Sequence, residues 1–131
     1  MTEAGLTHPF PMLEGDKNMN LTTFRKSGNE VPTPVWFVIL EGKLYVRTEA
    51  SSGKVKRIRN NGRVEPAPST VRGKTVGPSK GGEARVLGPG EENLTERAME
   101  LLSRKYKTTP IVNLLTRGHE RSVLEISPIE T

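Results

Sequence analysis

Cysteine is absent from the 131-residue chain, which excludes disulfides, thiolate nucleophiles and cysteine-based zinc sites and fits a reducing compartment. Histidine is almost absent as well. His8 and His119 are the only two, and Val123 stands where a zinc-protease helix would carry a second histidine after His119-Glu120, so both read as surface residues and no metal is expected. No apolar run reaches the roughly 18 residues needed to cross a bilayer, and Met1 to Gly5 lacks a basic stretch ahead of an apolar one. A cytoplasmic, membrane-free protein is expected. No nucleophile elbow is present, and the acids gather on one predicted helix at solvent-face spacing, which removes the usual grounds for hydrolysis by paired carboxylates.

Aromatic residues make up 5% of the chain, whereas glycine (13) and proline (10) are frequent, so turns and close backbone approaches outweigh aromatic packing. With 33% apolar residues the length suits one domain. Residues 1–20 lack periodicity and read as an N-terminal arm, with the folded domain over 21–131.

From Leu21 the pattern is β. Leu21 to Arg25 and Val31 to Leu40 flank the turn residues Lys26-Ser27-Gly28-Asn29-Glu30, which predicts a hairpin. Val35 to Leu40 is apolar throughout, as a strand covered on both faces would be. Leu44 to Thr48 alternates after the turn Glu41-Gly42-Lys43 and predicts a third strand. Arg63 to Ser69 is a further strand candidate in which Pro66 and Pro68, two apart, could both aim their missing N–H at a sheet edge or a bulge. Val71 to Gly77 reads as a turn into a strand, Gly81-Gly82 as a bulge or kink, and Glu83 to Leu87 as its continuation. Glu91 to Tyr106 predicts the one long helix, acidic at its start and basic at its end. Ser122 to Pro128 closes the chain as a strand, while Ile111 to Leu115 is ambiguous. These elements predict a mainly β fold: a six-stranded antiparallel barrel with two or three helices.

One sign of charge is missing from a single stretch. Positions 54–63 hold Lys54, Lys56, Arg57, Arg59 and Arg63 and no acid, in a chain of formal net charge +5. Exposed helices usually interleave Glu with Lys, so a polyanion partner is indicated. Ser51-Ser52-Gly53 reads as the start of a short helix over Lys54 to Asn60, with Val55 and Ile58 as its buried stripe and Gly62 as its stop. A phosphate suits that helix start. Arg72-Gly73-Lys74-Thr75 mimics the tail of a nucleotide P-loop, but Pro68 occupies the place of its first glycine and Pro78 forbids the helix that must follow. Trp36, the only tryptophan, is either a core or interface aromatic or a stacking wall.

Taken together, Leu21-Thr22-Thr23-Phe24-Arg25-Lys26-Ser27-Gly28, Thr33-Pro34-Val35-Trp36-Phe37, Leu44-Tyr45-Val46-Arg47-Thr48 and Ser52-Gly53-Lys54-Val55-Lys56-Arg57-Ile58-Arg59-Asn60-Asn61 resemble the flavin and deazaflavin oxidoreductases of the split β-barrel superfamily, to which pyridoxamine phosphate oxidase belongs. The subgroup resembled most is the short, F420-dependent one. The resemblance covers about Leu21 to Pro128 and implies a homodimer of six-stranded split barrels with two cofactor sites at the subunit interface. It implies that Thr48, Ser51, Ser52 and Lys54 hold the cofactor phosphate with Arg57 close by, and that Thr33, Pro34, Val35 and Trp36 lie on the strand approaching the ring. The implied activity is hydride transfer between the cofactor and an organic substrate, with no catalytic acid or base named. F420 carries a polyglutamate tail besides its phosphodiester, so a basic groove running from Lys54 through Arg57 and Arg59 favours F420 over FMN. Where relatives read Asn-Pro after the basic helix, this chain reads Asn61-Gly62, and Lys107 replaces a common glycine. Two other readings stay open: a basic barrel for single-stranded nucleic acid, which the lack of Phe, Tyr or Trp between Lys54 and Leu87 disfavours, and a flavin-binding protein without turnover.

Overall fold

A computed structural model of the chain describes residues 18–49, 52–70, 74–77, 80–106 and 121–129. Among the described residues, seven strands and two helices form in the order β1 (Met19–Phe24), β2 (Glu30–Val35), β3 (Phe37–Leu40), β4 (Lys43–Glu49), α1 (Gly53–Asn60), β5 (Arg63–Pro68), β6 (Gly82–Val86), α2 (Glu92–Lys105) and β7 (Arg121–Pro128). All pairings are antiparallel, in the order β2-β1-β5-β6-β7-β4-β3.

The count is seven rather than the expected six because the segment from Val31 to Leu40 does not run as one strand. It breaks at Trp36: Val35 pairs with Met19 on one side and Phe37 with Val46 on the other. β2 and β3 are the two ends of the sheet, yet a single residue separates them along the chain. The sheet is therefore curled until its ends meet at Trp36, which is the geometry of a split barrel.

Side-chain alternation on the central strands serves two cores. Phe37, Leu44, Val46, Leu124 and Ile126 face the barrel interior with Met19 and Leu21, and α1 closes that interior with Val55 and Ile58. The opposite faces of β3, β4 and β7 present Val38, Tyr45 and Val123 to α2, which answers with Ala98, Leu102 and Tyr106. This explains the uninterrupted apolar run after Val35, because one face of β3 packs on the barrel interior and the other on α2.

The prolines of β5 lie inside the sheet rather than at its rim. Pro68 pairs with Met19 and Pro66 with Leu21, and their carbonyls accept from the N–H groups of Val76 (2.9 Å) and Lys80 (3.2 Å). Carbonyl and nitrogen of one residue point to the same side of an antiparallel strand. The missing donors therefore face the side of Val76 and Lys80, and the β1 ladder loses nothing. β6 starts at Gly82, where a Cβ would lie 2.8 Å from the Ile126 side chain.

Beyond shifts of a single residue, three readings differ: among the described residues the stretch after Ser69 holds only the isolated bridge Ser69 to Thr75, so the strand read from Val71 begins at Gly82. β1 begins at Met19, two residues earlier than Leu21. α1 ends on Asn61 in an extended conformation, and Gly62 has no positive φ. Gly62 is needed instead for closeness to β6: its carbonyl accepts from Ala84 N–H at 2.7 Å, and a Cβ would meet the Glu83 carboxylate and the Ala84 carbonyl. The arm over residues 1–17, the segment Ile111 to Leu115, and His8 and His119 lie outside the described residues.

Candidate cofactor site at the start of α1

Ser52 opens α1 with extended backbone (φ −68°, ψ 158°), and its Oγ accepts from Val55 N–H at 3.4 Å. The same oxygen lies 3.1 Å from Thr48 Oγ1, which is buried at the end of β4. That pair fixes the helix start against the sheet. Gly53 and Lys54 then expose their N–H groups with no partner among the described residues, at the positive end of the helix dipole.

Three cations surround this point. Lys54 is half-buried, and its pKa is lowered first by burial and then by the neighbouring Arg57, with Glu49 acting against the shift. Arg57 is shifted the same way by burial and by Arg25. Its Nε donates to Thr23 Oγ1 at 2.6 Å, a neutral partner on β1. Arg25 follows Thr23 by two residues at the end of that strand, where the turn is locked by Gly28 N–H on Arg25 O (2.8 Å) and Arg25 N–H on Asn29 O (3.0 Å). Lys43, Arg63, Arg85, Arg97 and Arg104 each lie against a carboxylate. Arg25, Lys54 and Arg57 have no such contact among the described residues. Half-buried Lys54 and Arg57, with exposed Arg25 beside Arg57 and no carboxylate in contact among the described residues, are an anion site in electrostatic terms.

Thr48 and Ser52 are thus in contact and Lys54 and Arg57 lie close to each other at the same helix start, and Ser51 lies outside the described residues. The four residues of the approaching strand are divided between its faces. Thr33 and Val35 lie on the interior side with the residues they pair, Leu21 and Met19, and Pro34 and Trp36 are exposed. Because Phe37 pairs with Val46, Thr48 lies two residues further along β4, toward the end where the chain continues as Trp36. The seam and the cation cluster are therefore neighbours along the barrel rim.

Arg59 is a correction. It lines a separate cavity of about 410 Å³ between the end of α1 and β6, together with Ile58, Gly62, Glu83, Ala84 and Val86. The run of positive charge from Lys54 through Arg57 continues to Arg25 instead. The sequence reading missed Thr23 and Arg25, whose placement depends on the β1 register. It also missed Tyr106, which continues the four-residue spacing Leu94, Ala98, Leu102 and could have been read from it.

No family model and no curated protein matches the sequence. Solved structures do match in fold. HutZ, a heme storage protein from Vibrio cholerae, superposes with a TM-score of 0.71 at 12% identity, over 95% of this chain and 92% of its own. A pyridoxamine 5'-phosphate oxidase-related, FMN-binding protein from Nostoc punctiforme gives 0.63 at 11%, over 95% and 78%. An F420 reductase gives 0.61 at 15%, over 92% of both chains. The chain has the split-barrel fold of the pyridoxamine phosphate oxidase-like proteins. At these identities the likeness establishes the fold, and one fold carries heme, FMN and F420 proteins alike, so the ligand must be argued from the site.

Proposed function

We propose that this protein is an oxidoreductase that binds a flavin-type cofactor, F420 before FMN, as a homodimer with a cofactor at each subunit interface. The carrying observation is the start of α1, where the N–H groups of Gly53 and Lys54 have no partner and Lys54 and Arg57 have no carboxylate in contact among the described residues, and the Arg57 guanidinium lies beside Gly53. A cofactor phosphate fits that donor set. Arg25 adds charge beyond what one terminal phosphate needs, which favours F420 with its phosphodiester and polyglutamate tail. The F420 reductase of the same fold supports that choice, and the FMN-binding neighbour keeps FMN as the alternative.

Ser52, Lys54 and Arg57 would hold the phosphate, with Thr48 fixing Ser52. Trp36 and Pro34, exposed on the outer face of the seam, would flank the ring. When bound, the cofactor supplies the hydride chemistry. The protein orients the ring, neutralises its anionic end and limits water. Nucleic acid is disfavoured because no aromatic side chain is interleaved with the cations of α1.

Calorimetric titration of the protein with F420 and with FMN tests the reading. Tighter binding of F420, weakened by salt, is expected. Tighter FMN binding moves the protein to the alternative, and heat from neither ligand refutes the assignment.

A further inference from the structure

The seam residue Trp36 is 37% exposed and belongs to neither flanking strand, so no ladder bond orders it. Its ring is nevertheless fixed from behind. Tyr106 stacks on it with the ring centroids 4.4 Å apart and the planes 3° from parallel, an offset-stack geometry. Tyr106 is itself buried and held by its hydroxyl, which accepts from Phe37 N–H at 3.1 Å and donates to Phe37 C=O at 3.1 Å. Lys105 donates to the same carbonyl at 2.9 Å, with its ammonium 3.5 Å from the centroid of the Phe37 ring. One side chain thus clamps the side chain of residue 36 and the backbone of residue 37 together, at the point where the sheet changes partners.

We propose that Tyr106 is a positioning residue that holds Trp36 as a preformed aromatic wall for the planar ring of the bound cofactor, an inference that rests on the flavin-type reading above. An exposed indole without support samples several rotamers, and a ligand stacking on it must bear the cost of ordering it. The Tyr106 stack removes that cost before the ligand arrives. It also ties the wall to the end of α2, so the ring subsite is set by an element far from the phosphate cradle in sequence.

A double-mutant cycle separates positioning from simple support of the fold. FMN, and riboflavin as the same ring without the phosphate, are titrated into the wild type, Tyr106→Leu, Trp36→Leu and the double variant. Affinity for both ligands should fall about tenfold on Tyr106→Leu when Trp36 is present, and less than twofold when it is not. Acrylamide quenching of Trp36 fluorescence should rise in Tyr106→Leu. An equal loss in both backgrounds, or none in either, overturns the proposal. Should Tyr106→Leu not fold, Tyr106→Phe carries the test in the same cycle: it keeps the ring, removes the hydroxyl that accepts from Phe37 N–H while Lys105 still holds the carbonyl, and should weaken FMN binding only beside Trp36. Wild-type protein that binds neither FMN nor F420 would refute the cofactor reading and this inference with it. Wild-type binding lost on Lys54→Ala but untouched by either Tyr106 change would refute the inference alone.

Discussion

Lys54 stands at the second position of α1, where the N–H groups of Gly53 and Lys54 have no partner among the described residues, with Arg57 close by. Its lowered pKa has a consequence for binding. In the free protein Lys54 loses its proton at lower pH than an ordinary lysine does, because burial and Arg57 disfavour the charge. An anion in the cradle favours the charged form. Affinity for FMN or F420 should therefore be full below the free-state pKa and fall as pH rises through it, with proton uptake on binding across that window. Calorimetry in two buffers of different ionisation enthalpy reads the uptake directly, and affinity with no alkaline fall beyond the ligand's own contradicts the role of Lys54. Ser52→Ala removes the cap and should lower folding stability by about 1 kcal/mol, as measured by urea unfolding. These residues were legible in the sequence because a cap, a helix start and a run of cations are local signals. Thr23, Arg25 and Tyr106 reach the site through strand register and helix docking, which no single segment encodes.

At the scale of elements, the β3–β4 hairpin turns through Glu41 (φ 50°) and Gly42 (φ 81°), both left-handed. Glycine bears that conformation freely, and a glutamate at the first position is strained. Glu41→Asn should stabilise the protein by about 0.5–1 kcal/mol, seen as a higher midpoint of urea unfolding with an unchanged slope. The turn was evident from its residues, and so were both helices to within a residue. The break at Trp36 was not. Val35 to Leu40 is apolar on both sides of it, so periodicity carries no mark of the residue at which the strand changes sheets. Gly62 was given the wrong reason, as a helix stop, because a glycine after a helix has the same sequence signature whether it turns the chain or admits a neighbouring strand.

At the scale of the whole molecule, one ionic network ties the barrel to α2. Glu125, buried on β7, accepts from Tyr45 Oη at 2.8 Å and from Arg85 Nε at 2.9 Å. Arg85 also grips Glu91 ahead of α2 through two bonds of 3.0 and 2.6 Å, and Glu91 caps Gly88 N–H at 2.9 Å. The Arg85 guanidinium, followed by the Gly88 N–H, holds the Glu91 carboxyl at about 2, against an ordinary 4.5. Since the folded-state pKa is the lower one, its stabilisation is complete above the unfolded value and disappears as pH falls through about 2. Glu91→Gln should therefore unfold at lower urea than the wild type at pH 7, with the difference shrinking in acid. A difference that stays constant down to pH 2 would contradict this.

The barrel was legible from the order of hairpins and its closure was not, because closure is a property of two edges meeting. The proposed homodimer belongs to this scale too, and sedimentation should give twice the chain mass. The central claim is that the cations at the start of α1 hold the anionic end of a flavin-type cofactor. The most direct test is titration of wild type and Lys54→Ala with F420 and FMN at two salt concentrations. Loss of a charge-assisted contact should cost about 1.5–3 kcal/mol, a ten- to hundredfold weaker complex, with a shallower salt dependence in the variant. Equal affinity and equal salt dependence in the two proteins would place the cofactor elsewhere and contradict the account.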